Sequence, residues 1–198
     1  MKSLLGIFFL FFLNLSSLFG QGFDAAVILG LNAAQLDGDE IAGYHKPGLD
    51  VGLRVSYPLQ DRTDLGLELL YSQRGSKTPR NTDPFFTSYT NLDYLAVPIF
   101  INYKDWYLED EDYFKVRAEG GFIYSYLFDV DSNYSPFETG IGDFKNFDLG
   151  VHLGLSYALS KKWVFTTKWT SSFIRIFKNP SGDGVRSYYL TFRFEYNL

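Results

Sequence analysis

The sequence contains no cysteine. That excludes a disulfide scaffold, a thiolate metal site and a lipid-anchored cysteine at a mature N-terminus. It also lacks any basic run, and its net charge is only −5. Nucleic acid is therefore not an expected partner. Beyond residue 20 there is no apolar run near the ~20 residues that a spanning helix needs. No helical period of useful length occurs either. A route across a membrane would have to be made of strands closed into a barrel.

What the sequence does have is aromatic side chains, 19% of all residues, with 15 Tyr and 20 Phe. Some of the Phe fall in "MKSLLGIFFLFFLNLSSLFGQ" at the start. Lys2 begins this stretch, an apolar run from Leu4 to Leu13 follows, and Ser16, Ser17 and Gly20 soften its end. That is the layout of a secretory signal peptide. Residues 1–20 are read as the signal, with cleavage near Gly20/Gln21, and residues 21–198 as one domain.

The mature part alternates with a period of two. In "GLDVGLRVSYPL" (48–59), Leu49, Val51, Leu53, Val55 and Tyr57 take one face and Asp50, Arg54 and Ser56 the other. Seven further stretches repeat the pattern, near 23–35, 64–75, 91–104, 113–128, 147–159, 163–173 and 187–198. Leu70 interrupts the third, and Pro98 in the fourth predicts a bulge, because proline cannot donate to a ladder. The connections alternate in length. Those near 37–46, 76–90, 129–145 and 175–185 are long; those near 58–63, 104–112 and 160–162 are short. Short turns at one end and long loops at the other mark an outer-membrane barrel.

The polar faces carry mid-strand charge: the acids Asp50, Glu68, Glu119, Asp148 and Glu195, and the bases Arg54, Lys115, Arg117, Lys168 and Arg193. The apolar faces carry almost none. An eight-stranded barrel is only wide enough for side chains, so packing every apolar stripe inside would crowd it. The stripes also end in aromatics. Tyr57, Tyr103, Tyr157, Trp163 and Tyr196 lie toward the short turns; Tyr71, Tyr126, Phe128, Phe147, Phe173 and Tyr188 lie toward the long loops. Two aromatic girdles around an aliphatic band suit the two interfaces of a bilayer. The expectation is an all-β, eight-stranded antiparallel up-and-down transmembrane barrel whose apolar face touches outer-membrane lipid. A secreted sandwich or lipocalin-like barrel is the soluble alternative; the charged faces and the sorted loops argue against it.

"GLDVGLRVSYPL", "LGLELLYSQRGS", "YLAVPIFINY", "VRAEGGFIYSYLF" and "DLGVHLGLSYAL" resemble successive strands of the PorT-type outer-membrane barrel family of Bacteroidetes. The likeness covers nearly the whole mature chain. It is most specific in the Tyr-Ser-Gln-Arg-Gly ending at 71–75 and the Tyr-Leu-x-Val-Pro core at 94–98. Family members usually carry Glu at x; here it is Ala96, so one lumenal carboxylate is absent. The resemblance implies a small closed barrel in the outer membrane, and some relatives assist protein export.

Five acids against five bases predict a salt-bridged lumen; a selectivity ring would show one sign in excess. His152 is expected to face inward and bond to charged neighbours. Asp148 and Ser156 lie four residues from it, which is ~13 Å along a strand, too far for a catalytic triad. "DVDSN" (129–133) begins like a calcium loop but has Tyr134 and Gly140 where Gly and Glu are needed; it reads as a polar loop. "SGDG" (181–184) is turn chemistry. Phe85, Phe86 and Tyr89, in the long connection 76–90, are candidate contacts for another protein. The expected role is that of a non-enzymatic accessory protein without metal or cofactor. Its expected partners are outer-membrane lipid and other envelope or secretion proteins. A small-solute channel and a lipid-active barrel enzyme are the alternatives.

Overall fold

The computed structural model describes residues 22–38, 43–79, 88–133, 144–178 and 184–198. Residues 1–20, the expected signal, together with Phe85, Phe86, Tyr134, Gly140 and most of the 181–184 turn, lie outside the described residues.

Each alternating stretch forms a strand: β1 (Asp24–Asp37), β2 (Lys46–Gln60), β3 (Thr63–Lys77), β4 (Tyr89–Leu108), β5 (Tyr113–Ser132), β6 (Phe147–Ala158), β7 (Trp163–Ser172) and β9 (Gly184–Asn197). Neighbours pair antiparallel in sequence order, and β1 closes the ring on β9, from Ala26↔Asn197 to Asp37↔Arg186. The result is a closed, eight-stranded up-and-down barrel. A two-residue strand, β8 (Phe177–Lys178), pairs with the start of β9.

The burial pattern is inverted relative to a water-soluble barrel. Leu29 and Phe122 on the outer face are 65% and 68% exposed, whereas Arg193 and Glu195 inside are 1% and 0% exposed. Tyr57, Tyr103 and Trp163 toward the short turns, and Tyr126, Phe128 and Phe173 toward the long loops, are also exposed outward. Closure leaves the ring without a free sheet edge in the band, so its backbone polar groups pair within the ring, as lipid requires, except beside Pro98.

Two local expectations are corrected. Pro98 does not shift the register. Leu67↔Ile99 and Leu70↔Ala96 keep one alignment, and the pairings between them are simply missing. The proline thus removes ladder bonds without inserting a residue. The shift lies instead between Asp93 and Tyr94, where β5 skips from Asp129 to Leu127 and leaves Phe128 as the extra residue. The acidic stretch read as a loop is strand as far as Ser132: β5 continues, Tyr89 N donates to Asn133 Oδ1 at 2.6 Å, and the Tyr89 hydroxyl donates to Asp131 at 3.4 Å.

β4 and β5 are the longest strands, 20 residues each. Their ladder reaches Leu108↔Tyr113, whereas β3 leaves β4 at Tyr103 and β6 leaves β5 at Val116. This hairpin therefore projects beyond the rim at the short-turn end.

Candidate functional site

The lumen is the part of the molecule where chemistry-bearing side chains converge. Its centre is Glu68, on β3. Arg193, from β9, donates to it twice, at 2.9 and 2.6 Å, and Lys168, from β7, at 3.2 Å. Lys168 also pairs with Glu119. Toward the short turns, Glu195 takes Arg193 Nε at 3.0 Å, Thr166 at 3.0 Å and an ion pair from Arg54. Arg117 lies 3.9 Å from the same carboxylate. Asp50 sits 3.9 Å from Arg193.

Toward the long loops the network changes partners. Arg74 donates to Asp148 at 3.1 Å and to Ser125 at 2.9 Å, and its guanidinium lies between the rings of Tyr94 (4.6 Å) and Tyr189 (4.5 Å). Ser172 donates to the same Asp148 carboxylate. Asn32 bridges β3 and β9, donating to Ser72 at 3.0 Å and accepting from Thr191 at 2.7 Å.

Small residues make room for this. A Cβ on Gly154 would stand 2.8 Å from Glu119 Cγ and 3.0 Å from Lys168 Cγ. A Cβ on Gly66 would run into the Phe100 ring, over which Lys168 Nζ sits at 4.8 Å. Polar layers alternate with apolar ones. Ile28, Leu70, Ala96 and Ile123 form a buried cluster inside the barrel, so Leu70 turns inward with the pattern rather than breaking it. At the long-loop end Leu36, Leu92, Tyr94, Leu127, Phe144, Ile176, Phe177 and Val185 pack into a second cluster. It is built partly from loop segments. Phe144 bridges Phe177, and Lys145 N donates to Ile176 O at 2.8 Å.

Of the charged residues singled out from sequence, Asp50, Arg54, Glu68, Arg117, Glu119, Asp148, Lys168, Arg193 and Glu195 all reach the interior. Lys115 does not join them. It sits one same-face step beyond Arg117, past the last β5–β6 pairing at Val116, and its ammonium lies 5.2 Å from the Trp106 ring and 5.5 Å from that of Tyr157. Arg74 takes its place in the count. A parity count carried from Glu68 through Ser72 would have found it.

His152 is buried, but neither ring nitrogen makes a hydrogen bond. This corrects the expected bonding to charged neighbours: its nearest carboxylate, Glu119, is 3.8 Å away, and its ring stands edge-on to Phe100 at 5.5 Å. Asp148 and Ser156 are engaged elsewhere, Ser156 accepting from Thr166 at 2.9 Å. No nucleophile–base–acid chain assembles around it among the described residues. Nor do they contain a group of three side chains able to hold a metal ion.

A family model for the outer membrane protein beta-barrel domain matches residues 18–178, which runs from before β1 through β8. The chain belongs to that family. No curated protein matches it. Among solved structures, the outer membrane protein beta-barrel domain seen here is similar to Neisserial surface protein A, at 15% identity over 89% of this chain and 97% of that one, with a TM-score of 0.52. It is also similar to Ail, the attachment invasion locus protein of Yersinia pestis, solved with the heparin analogue sucrose octasulfate. There the identity is 13% over 89% of this chain and 99% of that one, with a TM-score of 0.50. At such identities the likeness concerns the fold. Family and fold together place this barrel in the outer membrane.

Proposed function

We propose that this barrel is a non-enzymatic, non-conducting scaffold that engages other envelope or secretion proteins through its long loops and rim. Its place in protein export is the reading suggested by the PorT-type resemblance of its strands. The observation that carries the proposal is the plugged middle and long-loop end of the lumen. The Glu68–Arg193–Lys168 knot and the Arg74–Asp148 pair cross the interior, and the apolar cluster around Phe144 and Phe177 closes over them. Opposite charges held at hydrogen-bond distance across a ring with little width to spare support a lumen that does not conduct. With the middle of the lumen committed to holding itself together, the loop surface is where a protein partner can be met.

The long-loop rim supports this. Lys46, Gln73, Lys77, Tyr89, Asn91 and Asp131 surround an open recess of about 380 Å³. Its mixture of charge, amide and phenol suits a polar protein contact.

Two measurements test the proposal. A photo-crosslinker at Tyr89, activated in intact outer membranes, should trap discrete protein partners. Planar-bilayer recordings should show no steady conductance. Steady steps that change on Arg117→Ala or Glu119→Ala would make it a pore instead. Loss of a lipid modification in a His152→Ala strain would make it an enzyme.

A further inference from the structure

The interior is not filled from end to end. Below the Arg54–Glu195 pair lies a cavity of about 560 Å³ that opens at the short-turn rim. Its wall carries five basic side chains against three acidic ones. Most of these neutralise one another. Lys104 reaches Asp64 at 2.8 Å, Lys161 reaches Asp112 at 3.4 Å, and Arg54 is held by Glu195 behind the wall. Asp24 stands exposed at the outer lip.

Arg117 is the exception. Its side chain is only 13% exposed, yet its nearest carboxylate oxygen is 3.9 Å away, beyond hydrogen-bond reach. That carboxylate, Glu195, already serves Arg54 and Arg193 and accepts from Thr166. Three guanidiniums therefore converge on one acid, and the one nearest the opening is the least satisfied. Lys162, also on the wall, has a phenol rather than a carboxylate for company, Tyr196 Oη at 3.2 Å. Just inside, Asn102 is buried opposite Asp64 and Glu119 with neither its Oδ1 nor its Nδ2 hydrogen-bonded. An enclosed guanidinium with spare donors, with the Lys162 ammonium on the same wall, suits an oxyanion.

We propose that this vestibule binds one small oxyanionic group, a carboxylate or a phosphate, with Arg117 as its anchor. The cavity lies inside the ring of strands, so a bilayer lipid cannot enter it sideways and the ligand arrives through water. Short turns of outer-membrane barrels face the periplasm, so the ligand comes from that compartment. This site is separate from the loop surface invoked above and stands or falls independently of it.

The test uses the full mature barrel, isotope-labelled, in nonionic micelles, titrated with sodium phosphate and sodium acetate at fixed ionic strength. Amide resonances of Lys104, Asn102 and Arg117 should shift saturably with a millimolar Kd, while glucose at equal concentration leaves them in place. Arg117→Gln should raise Kd about tenfold or more, the usual scale for a hydrogen bond to a charged group. Arg62→Gln, an exposed short-turn change outside the cavity wall, should leave it unaltered. Should Arg117→Gln not fold, Arg117→Lys keeps the charge and should still weaken binding several-fold, because the planar fork is lost. Absence of saturation by ~50 mM, or a Kd indifferent to both Arg117 variants, overturns the proposal.

Discussion

Arg193 and Glu68 meet inside the barrel through two parallel hydrogen bonds, at 2.9 and 2.6 Å, from strands that are not neighbours in the sheet. Arg193→Met would leave Glu68 with Lys168 as its remaining cation. The expected loss is about 3–5 kcal/mol, the range for breaking a buried pair from one side, measured by urea unfolding in lipid vesicles. Arg193→Met with Glu68→Leu should be less damaging than Arg193→Met alone, since Lys168–Glu119 and Arg54–Glu195 persist. Strict additivity of the two changes would contradict the coupling.

Arg74 calls for a different test because its role combines charge with shape. Arg74→Lys keeps the charge but cannot lie flat between Tyr94 and Tyr189 while donating to both Asp148 and Ser125. It should destabilise the barrel by about 2 kcal/mol, most of the effect of Arg74→Met. Full stability in the lysine variant would show that the sandwich contributes nothing.

On the outer face the expectation depends on depth. Leu153→Arg, in mid-band, should cost about 2–4 kcal/mol, whereas Leu59→Arg, near the short turns, should cost about 0–1 kcal/mol. Folding titrations in vesicles read the difference. Equal penalties would mean that the outer stripe does not sit in hydrocarbon.

Gly154 and Gly120 make a matched pair. A methyl group at Gly154 enters the space of Glu119 and Lys168, while one at Gly120 presses on the flexible tip of Leu153, 3.2 Å away on the outer side, and meets backbone no closer than 3.9 Å. Gly154→Ala should destabilise by about 1–3 kcal/mol, as overpacking does, and Gly120→Ala by clearly less. Thermal shifts on a semi-native gel would rank them.

The strand positions and the choice of outward face were legible in the sequence because period two is visible over ten or more residues. The one or two charged side chains on the polar face of most strands also leave little freedom of register. Asp50, Arg54 and Glu68 could be placed inside from parity alone. Parity says nothing of height along the axis, and there the reading fell short. Lys115 has the inward parity but lies too near the rim to reach a carboxylate. Arg74 is harder to place from sequence because it sits in the ending of the third strand, where the alternation fades into the loop. The cluster around Phe144 and Phe177 was equally hidden, since it depends on loop segments folding back, which no local period records. His152 faced inward as expected, but whether a neighbour bonds it depends on cross-barrel distances.

The network joins strands across the ring: β2 to β9, β3 to β7, β3 to β9. An incomplete sheet lying in hydrocarbon would hold Glu68 without Arg193 and Lys168, because those two cations reach β3 from β9 and β7 across the circle. Piecemeal insertion of hairpins is thereby disfavoured, and the ions must be handed from water to one another as the first and last strands join. In this barrel, closing the seam between β1 and β9 is also the step that brings Glu68 within reach of Arg193.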